Sequence, residues 1–284
     1  MTSISTKATV HGAISIVNAI ATGKGSALGI SLETTAEIHM RQGEGKIFHN
    51  NRNSDLFKYI IHNSIPKKIL QCNDIFLTIS SDIPIGFGLK SSSAVSSAVS
   101  LACYGLLEGN IDDFKVLDTA VNASRKAKVT ITGAYDDSTA CYFGGFVITD
   151  NYSNKLLRRE SGPLDLLSLI LLPTNTARKN PLNLKILPEF FEQAIQSAEN
   201  SDFWKAMTLN GLLVSSLMGY DYRPILFSIE NGALSASISG NGPSIAVIIE
   251  KKNLITIKSI LEKYGKILVC KINNTKARIE KKID

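Results

Sequence analysis

The sequence predicts an α+β fold built in two parts. In the first part, short segments rich in β-branched residues come before long helical segments. The second part has the order strand, two helices, two strands, helix, strand, which is typical of a layered α+β domain. A polar stretch ending in Gly162-Pro163 separates them. We therefore expect an N-terminal domain over residues 1–155 and a C-terminal domain over residues 156–284.

The strands and helices of the first part are predicted from residue type and from the turn-forming residues that bound each segment. β-Branched residues bounded by Gly or Asn indicate strands, and apolar residues at helical spacing indicate helices. The predicted strands are Thr6–His11, Leu28–Leu32, Thr35–Met40, Ile75–Ile79 and Phe146–Thr149. The predicted helices are Asp55–His62, Ser91–Leu107, which Gly109-Asn110 would end, and Asp112–Lys128.

The elements of the second part follow from the same rules. Its predicted strands are Leu166–Leu172, Leu234–Ser239, Ser244–Ile249 and Lys266–Ile272. Its predicted helices are Pro188–Asn200, Asp202–Met218 and Leu254–Tyr264. Proline suits the first turn of the helix that it opens, because its missing N–H would have no partner there.

The composition favours a globular protein in a reducing cytoplasm. Hydrophobic residues make up 44% of the 284 residues and charged residues 20%, which argues against disorder. The net charge is +6, but Lys and Arg are dispersed without interleaved aromatic residues, so we expect no nucleic-acid partner. None of the four cysteines stands at C-x-x-C spacing, which argues against a zinc or redox motif. The longest apolar run, Leu166–Leu172, is too short to span a membrane.

The segment from Pro84 to Ala94 carries the clearest chemical signal. It reads PIGFGLKSSSA, follows a predicted strand and begins a predicted helix. Glycines let the backbone approach an anion, and the free N–H groups of a helix N-terminus attract negative charge. One lysine and three serines add a positive charge and hydroxyl groups. The pattern favours phosphate binding over its alternative, an ordinary helix cap, although it is not a Walker A sequence.

Three other segments are weaker when taken alone. The segment Ser239–Ser244 reads SGNGPS between two apolar strands and has a hairpin turn as its alternative. The segment Gly133–Ser138 is predicted to be a glycine-containing turn with two adjacent carboxylates, which favours a bound cation or proton. Such aspartates also cap helices, which is the alternative. Lys7 would ordinarily be a solvated strand residue, and a lone histidine such as His11 is more often structural than catalytic.

Together these segments resemble the motifs of the GHMP kinase superfamily, in the family's order over nearly the whole chain. Pro84–Ala94 is similar to the second motif, P-x-x-x-G-L-x-S-S-x-A, and Ser239–Ser244 is similar to the third. Lys7 precedes Gly12 by five residues, as in the first motif. Asp137 stands seven residues before Gly144-Gly145, the spacing of the family's catalytic aspartate.

Within the superfamily, three runs resemble the shikimate kinases of archaea. They are Gly88–Ala94, Gly12–Ala19 and Gly133–Asp137. Homoserine kinases are the alternative, but their S-A-N-L-G-x-G-F-D type of segment is absent here. The resemblance implies the GHMP kinase fold, with an N-terminal half that carries the phosphate loop and a ferredoxin-like C-terminal half. It also implies ATP-dependent, Mg²⁺-dependent phosphorylation of shikimate to shikimate 3-phosphate.

The resemblance further implies roles for individual residues. Asp137 would be catalytic, Lys7 would keep it ionised, and Ser92 would bind Mg²⁺. ATP would be bound by Pro84, Gly86, Gly88, Leu89, Lys90, Ser91, Ser92, Ser93, Ala94, Gly240 and Gly242. In one respect the chain departs from the pattern: Lys126 stands eleven residues before Asp137, where many members have a magnesium-binding glutamate. Asp136 is the conjectured replacement.

For the acceptor, Arg178 in the run TNTAR resembles the segment with which homoserine kinases hold a carboxylate. A guanidinium pairs with a carboxylate through two hydrogen bonds, although a solvated loop arginine is the alternative. Asn18 and His11 are candidates for contacts to the acceptor's hydroxyl groups. A non-catalytic nucleotide sensor on the same fold is the alternative that involves no reaction.

Overall fold

The computed structural model describes residues 4–50, 54–107, 109–174 and 179–283. The strands are β1 (Ile4–Val17), β2 (Lys24–Gln42), β3 (Ile47–His49), β4 (Asn73–Ser81), β5 (Phe146–Asp150), β6 (Lys155–Glu160), β7 (Leu166–Pro173), β8 (Ser235–Ile238), β9 (Ile245–Glu250), β10 (Gly265–Lys271) and β11 (Arg278–Ile283). The helices are α1 (Ser54–Ser64), α2 (Lys67–Leu70), α3 (Ser91–Leu106), α4 (Asp113–Lys126), α5 (Tyr135–Phe143), α6 (Pro188–Glu199), α7 (Phe203–Met218), α8 (Arg223–Glu230) and α9 (Leu254–Leu261). Short 3₁₀ turns precede α6 and α9.

The first sheet is built around the long strands β1 and β2. In the described ranges it has seven strands, with β11-β1-β2-β4-β3 as its main path, while β5 pairs with β2 and β6 pairs with β5. β2 is long enough to pair with β4 along its second half and with β5 along its first. The two separately predicted strands at Leu28–Leu32 and Thr35–Met40 are therefore parts of one strand.

The second sheet has the strand order β10-β7-β9-β8, and all of its neighbouring strands are antiparallel. Numbered along the chain, this order is 4-1-3-2, and helices connect the first strand to the second and the third to the fourth. That is the ferredoxin-like arrangement. The mixed α and β architecture confirms the predicted fold class, including the ferredoxin-like second half.

Two strands join the first sheet across the predicted boundary after residue 155. β6 continues from β5 across a short turn, and β11 returns from the C-terminal end to pair with β1. The division of the chain into domains of residues 1–155 and 156–284 therefore does not coincide with the division into two sheets.

Helix α3 packs against β1 and β2 and carries the predicted phosphate segment at its N-terminus. Its buried face consists mostly of serine and alanine, so the helix axis comes close to the sheet. Gly105 shows how close: a β-carbon there would lie 2.0 Å from the side chain of Ile279 on β11. Buried apolar residues form one continuous cluster that includes both sheets. Among the described helices, none is long and apolar enough to cross a bilayer.

Candidate active site

A cavity of about 520 Å³ opens at the N-terminus of α3, and segments from both parts of the chain line it. One wall is the segment from Pro84 to Ser93, and another is the loop between α4 and α5, residues 128–134. The end of β1, the loop after β8 and Tyr220 also line the cavity. The cavity thus brings together the three glycine- or aspartate-containing segments that the sequence singled out.

The second and third predicted motifs are in direct contact through their backbones. Gly88 has φ +74°, and a β-carbon on it would lie 2.0 Å from the carbonyl oxygen of Ser239. The Ser239 hydroxyl donates to the Gly88 carbonyl at 2.8 Å, and the Ser244 hydroxyl donates to that of Phe87. Only glycine fits this close approach. The segments Pro84–Ala94 and Ser239–Ser244 therefore hold each other in place, and we call this pair of contacting segments the glycine clasp.

Lys90 turns its side chain inward, away from solvent. It is the N-cap residue of α3 with φ +66°, and its side chain is 4% exposed. Its ammonium lies 2.7 Å from a carboxylate oxygen of Asp137 and donates to the Ser15 hydroxyl at 2.7 Å. Burial disfavours this charge, but the carboxylates of Asp137 and Asp136 outweigh burial, so the pKa of Lys90 is raised. Lys90 is therefore a buried ammonium paired with the predicted catalytic aspartate.

Ser15 connects the ion pair to the glycine clasp. Its hydroxyl oxygen accepts from Lys90 and also from the backbone N–H of Gly240, at 2.9 Å. Its own backbone N–H donates to the Ser239 hydroxyl. The ion pair and the third motif therefore share one hydrogen-bonded network, in which movement of either would disturb the other.

Asp136 and Asp137 lie in the first turn of α5, not in an open turn. The helix dipole favours negative charge there, and Ala134 before them has a left-handed φ of +52°. Asp136 is buried, and one of its carboxylate oxygens accepts from the Asn151 side chain at 2.7 Å. Burial and the neighbouring Asp137 charge raise the pKa of Asp136 to about 7, despite the opposing effect of Lys90. The two adjacent carboxylates thus differ in environment, since Asp137 has the ammonium partner.

The predicted contact between Lys7 and Asp137 is wrong. Lys7 is exposed near the start of β1, in register with Glu280 of β11 and Glu37 of β2. Ser15 is the first residue of β1 that lines the cavity, and it lies eight residues further on, about 26 Å along an extended strand. Lys7 is a solvated residue of the sheet face, and Lys90 supplies the charge that was expected from it.

His11 does not line the cavity either. It is buried on β1, and its Nε2 lies 3.3 Å from Glu33 on the neighbouring strand. Burial lowers the pKa of His11, and Glu33 only partly opposes this shift. The predicted role of His11 in contacting the acceptor is therefore not supported by its position, and the alternative of a structural histidine describes it.

Asn18 does line the cavity, but its side-chain amide is engaged by the protein. It donates to the carbonyl of Gly240 and accepts from the backbone N–H of Ile20, both at 2.9 Å. This amide therefore helps to hold the third motif in place. Arg178 lies outside the described residues, as does the rest of segment 175–178.

Several cavity residues are not among the site residues that the sequence predicts. They are Ser15, Lys128, Thr132, Lys179 and Tyr220. Ser15 belongs to the run Gly12–Ala19, which resembles the family, so the sequence contains a signal for it. The other four lie in loops or at helix ends with no motif, and only the folded chain brings them to the cavity.

The donor groups of the cavity suit a Mg²⁺ ion that is held mainly by phosphate oxygens. Ser92 presents an exposed hydroxyl at the N-terminus of α3, and Asp136 faces the same cavity with a buried carboxylate. In the described residues no group of three or more His, Cys, Asp or Glu side chains could form a metal site. Mg²⁺ commonly binds nucleotide sites through one or two protein ligands, phosphates and waters, so this donor set fits.

Comparisons with known proteins find relatives over nearly the whole chain. The family model for the N-terminal domain of GHMP kinases matches residues 55–145. A shikimate kinase of Pyrococcus furiosus is 38% identical over 268 residues, which cover 90% of this chain and 95% of that protein. A shikimate kinase of Methanosarcina acetivorans is 33% identical over 281 residues, with 95% of each chain covered.

Solved structures share the fold at low sequence identity. A homoserine kinase of Cytophaga hutchinsonii aligns with a TM-score of 0.76 at 16% identity, over 97% of both chains. A mevalonate kinase aligns with a TM-score of 0.72 at 19% identity, over 94% of this chain and 99% of that one. At such identities the likeness concerns the fold alone.

Proposed function

Because the chain belongs to the family of archaeal shikimate kinases within the GHMP kinases, we propose that it transfers the γ-phosphate of ATP to a hydroxyl group of shikimate. The relatives of that name match nearly the full length of this chain. The observation that carries the proposal is the ion pair between the buried Lys90 ammonium and the partly exposed Asp137 carboxylate, both in the cavity that the glycine clasp and the N-terminus of α3 line.

ATP is placed with its phosphates at the start of α3. The first N–H groups of this helix have no helical partner, and the helix dipole attracts anions. The predicted contacts Pro84, Gly86, Gly88, Leu89, Ser91, Ser92 and Ser93 all belong to this segment and line the cavity with Gly242. Ala94 is buried inside α3, and Gly240 contacts Gly88, so both support the segment from behind.

Asp137 is the group that acts on the acceptor hydroxyl. It accepts the hydroxyl proton, or orients the hydroxyl, while the oxygen attacks the γ-phosphorus. The ammonium of Lys90, 2.7 Å away, keeps the carboxylate ionised and places a positive charge beside the reacting groups. In this proposal Lys90 takes the role that the sequence suggests for Lys7.

Ser92 and Asp136 would hold Mg²⁺, as the donor set allows. The ion would neutralise charge on the phosphates of ATP. Asp136 loses its proton more readily beside a divalent cation, which would offset the effect of burial on its pKa.

We place the acceptor in the part of the cavity that does not hold ATP, among lining residues that include the end of β1, Lys179, Pro181 and Tyr220. Its carboxylate needs a cation, and Arg178, outside the described residues, is the residue that the sequence predicts for it. This part of the proposal rests on the resemblance and on the neighbouring Lys179, which is exposed at the cavity wall.

A side-by-side assay with shikimate and homoserine tests the proposal. Purified protein with ATP and Mg²⁺ should form ADP in a shikimate-dependent manner, and mass spectrometry should detect one added phosphate on shikimate. Homoserine should be a poor acceptor. Strong homoserine phosphorylation without activity on shikimate would refute the acceptor but keep the kinase. Absence of acceptor-dependent ADP formation with both would favour a nucleotide sensor.

A further inference from the structure

Lys128 occupies a backbone conformation that ordinarily belongs to glycine. It is the second residue after α4 and has φ +55°. Its N–H donates to the carbonyl of Arg125, and the N–H of Val129 donates to that of Ser124. These two bonds form a Schellman motif, in which glycine is the usual residue at the position of Lys128. A side chain there costs free energy, because its β-carbon crowds the following carbonyl.

The strain coincides with the cavity. In the described ranges, five residues other than glycine have a positive φ, and three of them line this cavity: Lys90, Lys128 and Ala134. Strained backbone that surrounding structure maintains tends to occur at functional sites. Lys128 is exposed, and its ammonium forms no ion pair within the described part of the chain. A charged residue thus occupies a position that favours glycine, in the lining of the cavity.

Lys128 follows the C-terminal end of α4, which is hydrogen-bonded to the first turns of α3. Ser124, one turn earlier on α4, has its hydroxyl 3.0 Å from that of Ser96 on α3. Ser96 in turn donates to the carbonyl of Ser92 at 2.8 Å. The end of α4 is therefore tied to the first turns of α3, where the phosphates are placed.

We propose that Lys128 binds the phosphate groups of the nucleotide. The inference rests on the proposed kinase function and adds a residue to it. Residues 120–132, where many members of the family have a magnesium-binding glutamate, contain no acid and include Lys128 in the cavity lining. A lysine is a suitable point charge for phosphate, and its gain in binding outweighs the strain of its backbone.

Two variants of Lys128 separate its charge from its strain, and Lys126 provides a matched control. Lys128→Gln removes the charge and keeps the strained side chain, whereas Lys128→Gly removes both. Lys126→Gln removes the same charge two residues earlier, but the Lys126 ammonium packs over the ring of Tyr59 at 5.8 Å, outside the cavity. Binding of MgATP is measured by titration calorimetry at two salt concentrations without acceptor, and Tm is measured for each variant.

Both Lys128 variants should bind MgATP about ten-fold more weakly than the wild type, with a smaller salt dependence. Lys128→Gly should nevertheless melt about 2 °C above Lys128→Gln, because it relieves the strain. Lys126→Gln should bind like the wild type. Affinities within two-fold of the wild type for both Lys128 variants would refute the inference while the kinase proposal stands. A wild-type protein that binds no MgATP would refute both.

Discussion

At the residue scale, the carboxylate of Asp137 is the group on which the proposed reaction depends. Asp137→Asn keeps the size of the side chain but removes its charge and its ability to accept a proton. We expect kcat to fall by about two to four decades, with MgATP binding largely intact. Steady-state rates and calorimetric binding check this. Asp165→Asn at an exposed position serves as the control, and near-normal turnover of Asp137→Asn would contradict the assigned role.

Asp136 should make stability depend on pH in an unusual direction. Its folded pKa of about 7 lies above the value of about 3.9 in an unfolded chain. The folded state therefore binds this proton more tightly, so the contribution of Asp136 to stability is lost as pH rises from about 4 to about 7.

Asp136→Asn removes this titration while its side-chain oxygen can still accept from Asn151. Without Mg²⁺ and ATP, the variant should gain stability relative to the wild type as pH rises, by on the order of 3 kcal/mol at pH 8. Urea unfolding at pH 4.5 and pH 8 measures the difference. A difference that is the same at both pH values would show that Asp136 is ionised normally.

The contrast between Lys7 and Lys90 shows what residue patterns could not predict. Both lysines are visible in motifs, and the expected partner of Asp137 is a lysine. Which lysine reaches Asp137 depends on the left-handed backbone of Lys90 and on the strand register that places Lys7 between two glutamates. Neither property can be predicted from the spacing of residues within a motif, because both depend on contacts with distant segments of the chain.

At the scale of elements, the glycine clasp joins the second and third motifs, and Gly88→Ala should break it. The new β-carbon would meet the Ser239 carbonyl oxygen at 2.0 Å, and a backbone atom cannot move aside cheaply. Gly86→Ala is the matched control, since Gly86 also has a positive φ, +85°, but a β-carbon added there would have no described atom within 4 Å. Both variants bear backbone strain, and Gly88→Ala alone bears the clash.

We expect Gly88→Ala to lose at least several kcal/mol of stability, and Gly86→Ala about 1 kcal/mol. MgATP binding should fall sharply in the first and modestly in the second. Thermal unfolding and calorimetry measure both quantities. Equal losses in the two variants would mean that the loops are held together by something other than the Gly88 contact.

Elements with strong periodicity could be predicted, whereas elements fixed by tertiary contacts could not. Helix α3 begins at Ser91, as predicted, because the glycines before Ser91 and the small residues after it both indicate a helix start at this position. For the segment that forms helix α5 the sequence predicts a turn, since Gly133 and two aspartates are typical of loops. The helix forms because its buried face packs against β1, β2 and α3, which outweighs the local preference.

At the scale of the whole molecule, the final strand ties the C-terminal part of the chain to the first sheet. β11 pairs with β1 over six residue pairs, from Ile4 with Ile283 to Thr9 with Arg278. Arg278 also donates to both carboxylate oxygens of Glu33, at 3.1 and 3.2 Å. The predicted boundary at residue 155 therefore divides the sequence, but the two parts share a sheet and a core. Because the apolar cluster is continuous, we expect one cooperative unfolding transition.

Removing residues 278–284 tests this coupling. The truncation exposes the edge of β1 and uncovers Gly105, against which Ile279 packs. We expect calorimetry to show a single transition for the full chain and a single transition for the truncated chain at a Tm at least about 5 °C lower. Lys282→Gln, at an exposed position of β11, should leave Tm nearly unchanged.

Because one core spans both sheets, hydrogen exchange in the truncated chain should accelerate in β7 and β9 as well as in β1 and β2. Two calorimetric transitions, of which only one moves on truncation, would instead mean that the two parts unfold independently.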